Sequence, residues 1–173
     1  MNRKKRKTRR ISFDTAWSRW VAALIVIGLG LPLAGQGRLA ALLDQYRHEN
    51  DAVRKARLLV KLGDDEVELA KKQLQGGGDV ASLDTLENYR GQVEQTIAGL
   101  KATGADAEKK PGGFKELQIS LRENIRRIDD LIFSLPADKR PFFREVRTAL
   151  ANMQNDLIDA LFPRRGGVKK PNP

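Results

Sequence analysis

The sequence predicts an all-α protein, an up-and-down antiparallel bundle of four to five helices behind an N-terminal leader or anchor helix. Three observations predict it. Apolar residues after Gly37 recur at steps of three and four, the period of one face of an α-helix. No apolar run alternates with period two, aromatics are few, and Lys, Glu, Gln, Ala and Leu dominate, so strand signals are missing. Glycine and proline clusters interrupt the pattern at short intervals, and short connections favour antiparallel neighbours.

The chain divides into a leader or anchor over 1–37, a bundle domain over 38–162 and a disordered basic tail over 163–173. Seven cations crowd the start (Arg3, Lys4, Lys5, Arg6, Lys7, Arg9 and Arg10), an apolar run follows from Trp20 to Ala34, and Gly35-Gln36-Gly37 closes the segment. This charge–apolar–small order is that of a signal peptide or a single membrane anchor. Fifteen apolar residues make roughly 22 Å of helix against a hydrocarbon core of about 30 Å, short for a span and suited to a cleaved leader. Gly28, Gly30 and Pro32 weaken the end of the run, and Gly35 and Gly37 offer small residues for a cut after Gly37. The rival reading is an uncleaved anchor. Counting from Ala16 gives 19 residues, with Trp17 and Trp20 at the interface and Arg19 snorkelling. Either way the positive-inside rule keeps the N-terminus cytoplasmic and the rest beyond the membrane. The expected location is periplasmic or extracellular, or anchored in an inner membrane with the domain outside the cytoplasm. Arg9-Arg10-Ile11-Ser12-Phe13 resembles a twin-arginine signal, with Ser12 where that pattern has an apolar residue.

The first bundle helix is expected from Arg38 to about Glu49, with Leu39, Leu42, Leu43 and Tyr46 on one face. Asn50-Asp51 is a cap signal for the next segment, with Val53, Ala56, Leu59 and Val60 apolar and a pause at Gly63. Asp65 and Glu68 have capping-box spacing for a restart through Val67, Leu69, Ala70 and Leu74, so the stretch reads as one bent helix or two. Gly76-Gly77-Gly78 is a stop, and Asp79 is expected to cap a helix with the stripe Val80, Leu83, Leu86, Val93, Ile97 and Leu100, Tyr89 beside it, ending at Gly104. After a loop over 105–113, Phe114, Leu117, Leu121, Ile125, Ile128, Ile132 and Leu135 form a coiled-coil-like seam. Pro136 and Pro141 mark the next turn, and Phe142 or Phe143, Val146, Leu150, Met153, Leu157 and Leu161 face the core from the last helix before Pro163.

The net charge of +10 belongs to the ends. Residues 38–162 hold 20 Lys/Arg against 21 Asp/Glu, a mixed surface unlike the one-sided basic face that phosphate binding needs. No nucleic-acid partner is expected. The absence of cysteine excludes disulfides, thiolate chemistry and lipid attachment through Cys.

No residue cluster has the spacing of a reaction centre. His48, the single histidine, lacks a paired His or Cys and reads as a surface residue. The triglycine lacks the Lys-Ser/Thr of a phosphate loop. Asp64, Asp65, Glu66 and Glu68 are the densest acidic group. They read as helix-start acids favoured by the dipole, the rival being a weak divalent-cation site. Asp129, Asp130, Asp156 and Asp159 read as exposed helix acids. The candidate partner surface is Arg122, Arg126 and Arg127, on the face opposite the seam, with Phe142 and Phe143 at the hairpin tip. One of the two phenylalanines is expected to enter the core.

Residues 59–103 pair two helical stretches across Gly78-Asp79 and resemble a tetratricopeptide-like helix–turn–helix unit. The same stretch, under half of the chain, also resembles uncharacterised exported bacterial proteins with one leader and a helical bundle, which implies an exported helical domain and supplies no activity or site residue. The expectation is a non-enzymatic protein without cofactor that binds a protein or cell-envelope partner. It meets the membrane through residues 20–35 if uncleaved. The alternative is a self-associating scaffold, a homo-oligomer anchored in the membrane, and nucleic-acid binding through the basic ends ranks below both.

Overall fold

Apolar steps of three and four give five helices in the computed structural model, which describes residues 33–163: α1 (Leu33–His48), α2 (Ala52–Gln75), α3 (Asp79–Ala102), α4 (Phe114–Ser134) and α5 (Arg140–Leu161). The seven cations, the body of the apolar run and the tail cations Arg164, Arg165, Lys169 and Lys170 lie outside the described residues.

Helices α2 and α3 form one hairpin through Gly76–Gly78, α4 and α5 a second through residues 135–139; α2 packs beside α4 and α3 beside α5. The cross-helix ion pairs set directions. Arg57 meets Glu116, and Arg127 meets Asp64 and Glu68, so α2 and α4 run parallel. Asp79 meets Lys139, and Lys101 meets Asp156, so α3 and α5 run parallel. The four helices therefore alternate up and down, and the 103–113 connection carries the chain across the bundle from one hairpin to the other. One end, here the turn end, holds Gly76–Gly78 and residues 135–139; the other, the loop end, holds Asn50-Asp51 and residues 103–113.

The α4 seam is buried throughout, from Phe114 to Leu135, and meets Leu59, Leu62, Val67, Leu86, Val93, Leu100, Val146, Leu150 and Leu157 in one core. Phe143 enters that core at 2% exposure while Phe142 stays 59% exposed, as a 100° step on a helix requires. Helix α1 lies outside the four. Tyr46 is buried, Leu39, Leu42 and Leu43 are half-buried, and Lys55 sits 4.7 Å over the Tyr46 ring.

Four local expectations are corrected. Helix α1 starts at Leu33, inside the apolar run, and passes through Gly35–Gly37. Helix α2 does not pause at Gly63 or restart at Asp65: Gly63 is buried in mid-helix, where a Cβ would stand 2.5 Å from the Tyr89 ring. The missing side chain makes room for an aromatic ring on the α2 backbone. Asp79 is the first residue of α3, with Gly78 at the cap position. Val80 is 75% exposed, because the buried stripe of α3 runs Ser82, Leu86, Tyr89, Val93, Thr96/Ile97 and Leu100; the buried Ser82 hydroxyl donates to the Ala70 carbonyl across the hairpin at 2.8 Å.

Caps follow the sequence more closely. The Asp51 carboxylate accepts from the Arg54 N–H at 2.7 Å, the usual N-cap bond. Gly113 takes a φ of +83° that L side chains avoid, and the Glu116 side chain accepts from its N–H at 2.7 Å. Pro141 occupies the first turn of α5, where its missing N–H costs nothing.

Candidate functional site

A buried polar network runs under α1 and across the core. The Tyr46 hydroxyl meets the Gln92 carbonyl at 3.0 Å and the Thr96 hydroxyl at 2.9 Å. The Gln92 amide donates to Glu66 Oε1 at 2.9 Å. Glu66 Oε2 and Gln92 Oε1 are buried without a donor among the described residues. Deeper in, Asn124 donates to the Tyr89 hydroxyl at 3.0 Å, and Arg127 donates to Asn124 Oδ1 at 3.3 Å.

Glu66 is 6% exposed. Desolvation raises its carboxyl to about 7, against the opposing hydrogen bond from Gln92. Burial also pushes the Tyr89 and Tyr46 hydroxyls above their ordinary range. A proton on Glu66 Oε2 would turn one of these acceptors into a donor. Above the network, Leu43, Tyr46, Arg47, Glu66, Gln92 and Glu94 line a groove of about 670 Å³ between α1 and α3. The Glu66 oxygen that would act as acid or base there is itself buried.

The acidic cluster fans apart around α2, and the helix-start reading is corrected, since all four acids lie in mid-helix. Asp64 and Glu68 reach Arg127 of α4, Asp65 reaches Arg38 of α1, and Glu66 turns to the core. No group of three or more ligating side chains among the described residues could hold a metal ion. His48 is exposed, its ring nitrogen 2.9 Å from the Asp44 carbonyl. Asp129 takes a two-pronged contact from Arg147 at 2.9 and 3.0 Å, and Asp156 pairs with Lys101.

The candidate partner surface is not brought together as one patch. Arg122 and Arg126 are exposed and pair with Glu123 on their own helix. Arg127 is a half-exposed clamp between α4 and α2, and Phe143 belongs to the core. Phe142 alone of the phenylalanine pair remains on the surface. Searches for a matching protein family, a similar curated protein and a similar solved structure each find no match. The site therefore rests on this chain's own geometry.

Sequence reasoning missed Phe133, which is 83% exposed at the end of α4. The seam arithmetic held the signal: with Ile128, Ile132 and Leu135 inward, Phe133 falls outside the stripe. It lines a cavity of about 410 Å³ with Arg140, Arg144 and Arg147. Arg140 donates to the Leu135 and Phe133 carbonyls, and Arg144 forms no ion pair among the described residues. The buried network was also missed, since Glu66 and Gln92 look like ordinary surface residues in an EVEL or GQVEQ string. Their positions on the α2 and α3 stripes carried the information.

Proposed function

We propose that this chain is a non-enzymatic helical-bundle protein held at a membrane by its N-terminal apolar segment, with the bundle outside the cytoplasm, where it binds a protein or envelope partner. The observation that carries the reading is the order of the first 37 residues: seven cations, then fifteen apolar residues. Positive charge stays on the cytoplasmic side, and apolar segments partition into lipid. No described helix is long and apolar enough to cross a membrane, so any span falls to that leading segment. The start of α1 inside the run favours the uncleaved form. A cut after Gly37 would remove the first five residues of α1.

Cell fractionation with intact-mass analysis of the expressed full chain tests this reading. Recovery in the membrane fraction at the full 19.3 kDa supports the anchor. A membrane-free product beginning at Arg38 supports export with cleavage and removes the anchor. The full-length chain in the soluble cytoplasmic fraction overturns both.

A further inference from the structure

Five large apolar side chains are exposed among the described residues, and three of them (Val80, Phe133 and Phe142) stand at the turn end. Val80 is the second residue of α3, Phe133 is in the last turn of α4, and Phe142 is in the first turn of α5. The Lys139–Asp79 contact ties the start of α3 to the α4–α5 turn. Arg140 and Arg144 stand beside Phe133 and pair with no carboxylate among the described residues. Asp79 and Asp129 are engaged by Lys139 and Arg147, leaving Asp130, Asp138 and Glu145 as the acids of α4, α5 and their turn at this end. Exposed aromatics beside cations suit a lipid interface, where rings enter the headgroup layer and arginines meet phosphate.

The course of α1 points to the same end independently. Arg38 pairs with Asp65, and Tyr46 lies under Lys55, so α1 runs antiparallel to α2 and its N-terminus heads for the turn end. From Arg38 back to Ala34 is about 6 Å of helix, and from Asp65 on to Gln75 about 15 Å, which places Ala34 roughly 10 Å short of that end. The apolar run closes at Ala34, one residue after α1 begins. A chain leaving lipid there has no linker.

Resting on the membrane-tethered reading, we infer that the turn end of the bundle docks on the bilayer that holds the chain, inserting Phe133, Phe142 and Val80 among the headgroups of an anionic lipid surface, with Arg140 and Arg144 against lipid phosphates. The loop end then faces away from the membrane and is the end open to a soluble partner.

The chain has no cysteine, so single reporters can be placed at will. Full-length Ala137→Cys, at the turn end, and Lys110→Cys, at the loop end, are spin-labelled and reconstituted into phosphatidylcholine vesicles containing one part in about three of phosphatidylglycerol. Oxygen and a water-soluble relaxation agent then report depth. The expected result is several-fold less access of the aqueous agent to the label at 137 than at 110. That protection is lost in a Phe133→Ser/Phe142→Ser background, whose exposed positions leave the fold intact by circular dichroism. Equal aqueous access at both labels, in protein that still floats with the vesicles, overturns the docking and leaves the tether standing. Protein that does not float overturns both. Protection at 137 without vesicles assigns the patch to a second copy of the chain and also overturns the docking.

Discussion

Glu66 is the residue on which the chemistry of this fold turns. Its carboxyl is raised by burial from 4.5 to about 7, so the native state holds the proton more tightly than the unfolded chain. Between those values the unfolded chain releases its proton first, and stability falls as pH rises through the window. The full loss, reached above about pH 7, is about 3 kcal/mol at 1.36 kcal/mol per unit. Chemical denaturation at pH 5 and pH 8 should show this fall, and Glu66→Gln, which keeps an amide partner for Gln92, should flatten it; an equal slope in both proteins contradicts the assignment. Gly63 gives a second test. Alanine at an exposed helical site such as Gly91, where a Cβ meets nothing within 4 Å, should stabilise by up to about 1 kcal/mol. The same change at Gly63 meets the Tyr89 ring at 2.5 Å and should destabilise, since overpacking costs about 1–3 kcal/mol. Thermal melts of the two variants should move in opposite directions. The sequence marked Gly63 as a helix interruption because glycine is a poor helix former. It carried no sign that a tyrosine 26 positions later needed the space.

At the scale of elements, apolar period located every helix of the bundle. The seam of α4 needed no correction, because each of its seven apolar positions is buried. Errors arose where one-dimensional signals compete. The acids of α2 look like a helix start until Arg38 and Arg127 arrive from other helices to pair with them. Val80 fits an apolar stripe until Ser82 is found to bond the Ala70 carbonyl. Helix α1 is the least integrated element, held chiefly by Tyr46 and three half-buried leucines. Amide exchange should therefore open α1 before α4, by local opening below the global free energy. Tyr46→Phe removes the hydroxyl contacts to Gln92 and Thr96 and should speed exchange in α1 several-fold, with α4 little changed. Uniform acceleration across both helices would show α1 to be part of the cooperative core.

For the whole molecule, the bundle and the leading segment make different physical demands. Residues 38–162 are almost neutral and fold around one core, without disulfides. The first 37 residues carry charge and apolar character in separate blocks, the order on which the proposed membrane tether rests. Fold class was legible because packing periodicity is local in sequence. Of the candidate surface residues, Phe142 is exposed, Arg127 links α4 to α2 and Phe143 lies in the core. Which exposed side chains share one end depends on how four helices alternate, and no local string encodes that. The most direct test of the account is the side of the membrane on which the bundle lies. In spheroplasts of a bacterial host expressing Lys110→Cys, a membrane-impermeant maleimide should label the cysteine before lysis, while Thr8→Cys should react only after lysis. Protection of Cys at position 110 until lysis would place the bundle in the cytoplasm and contradict the account.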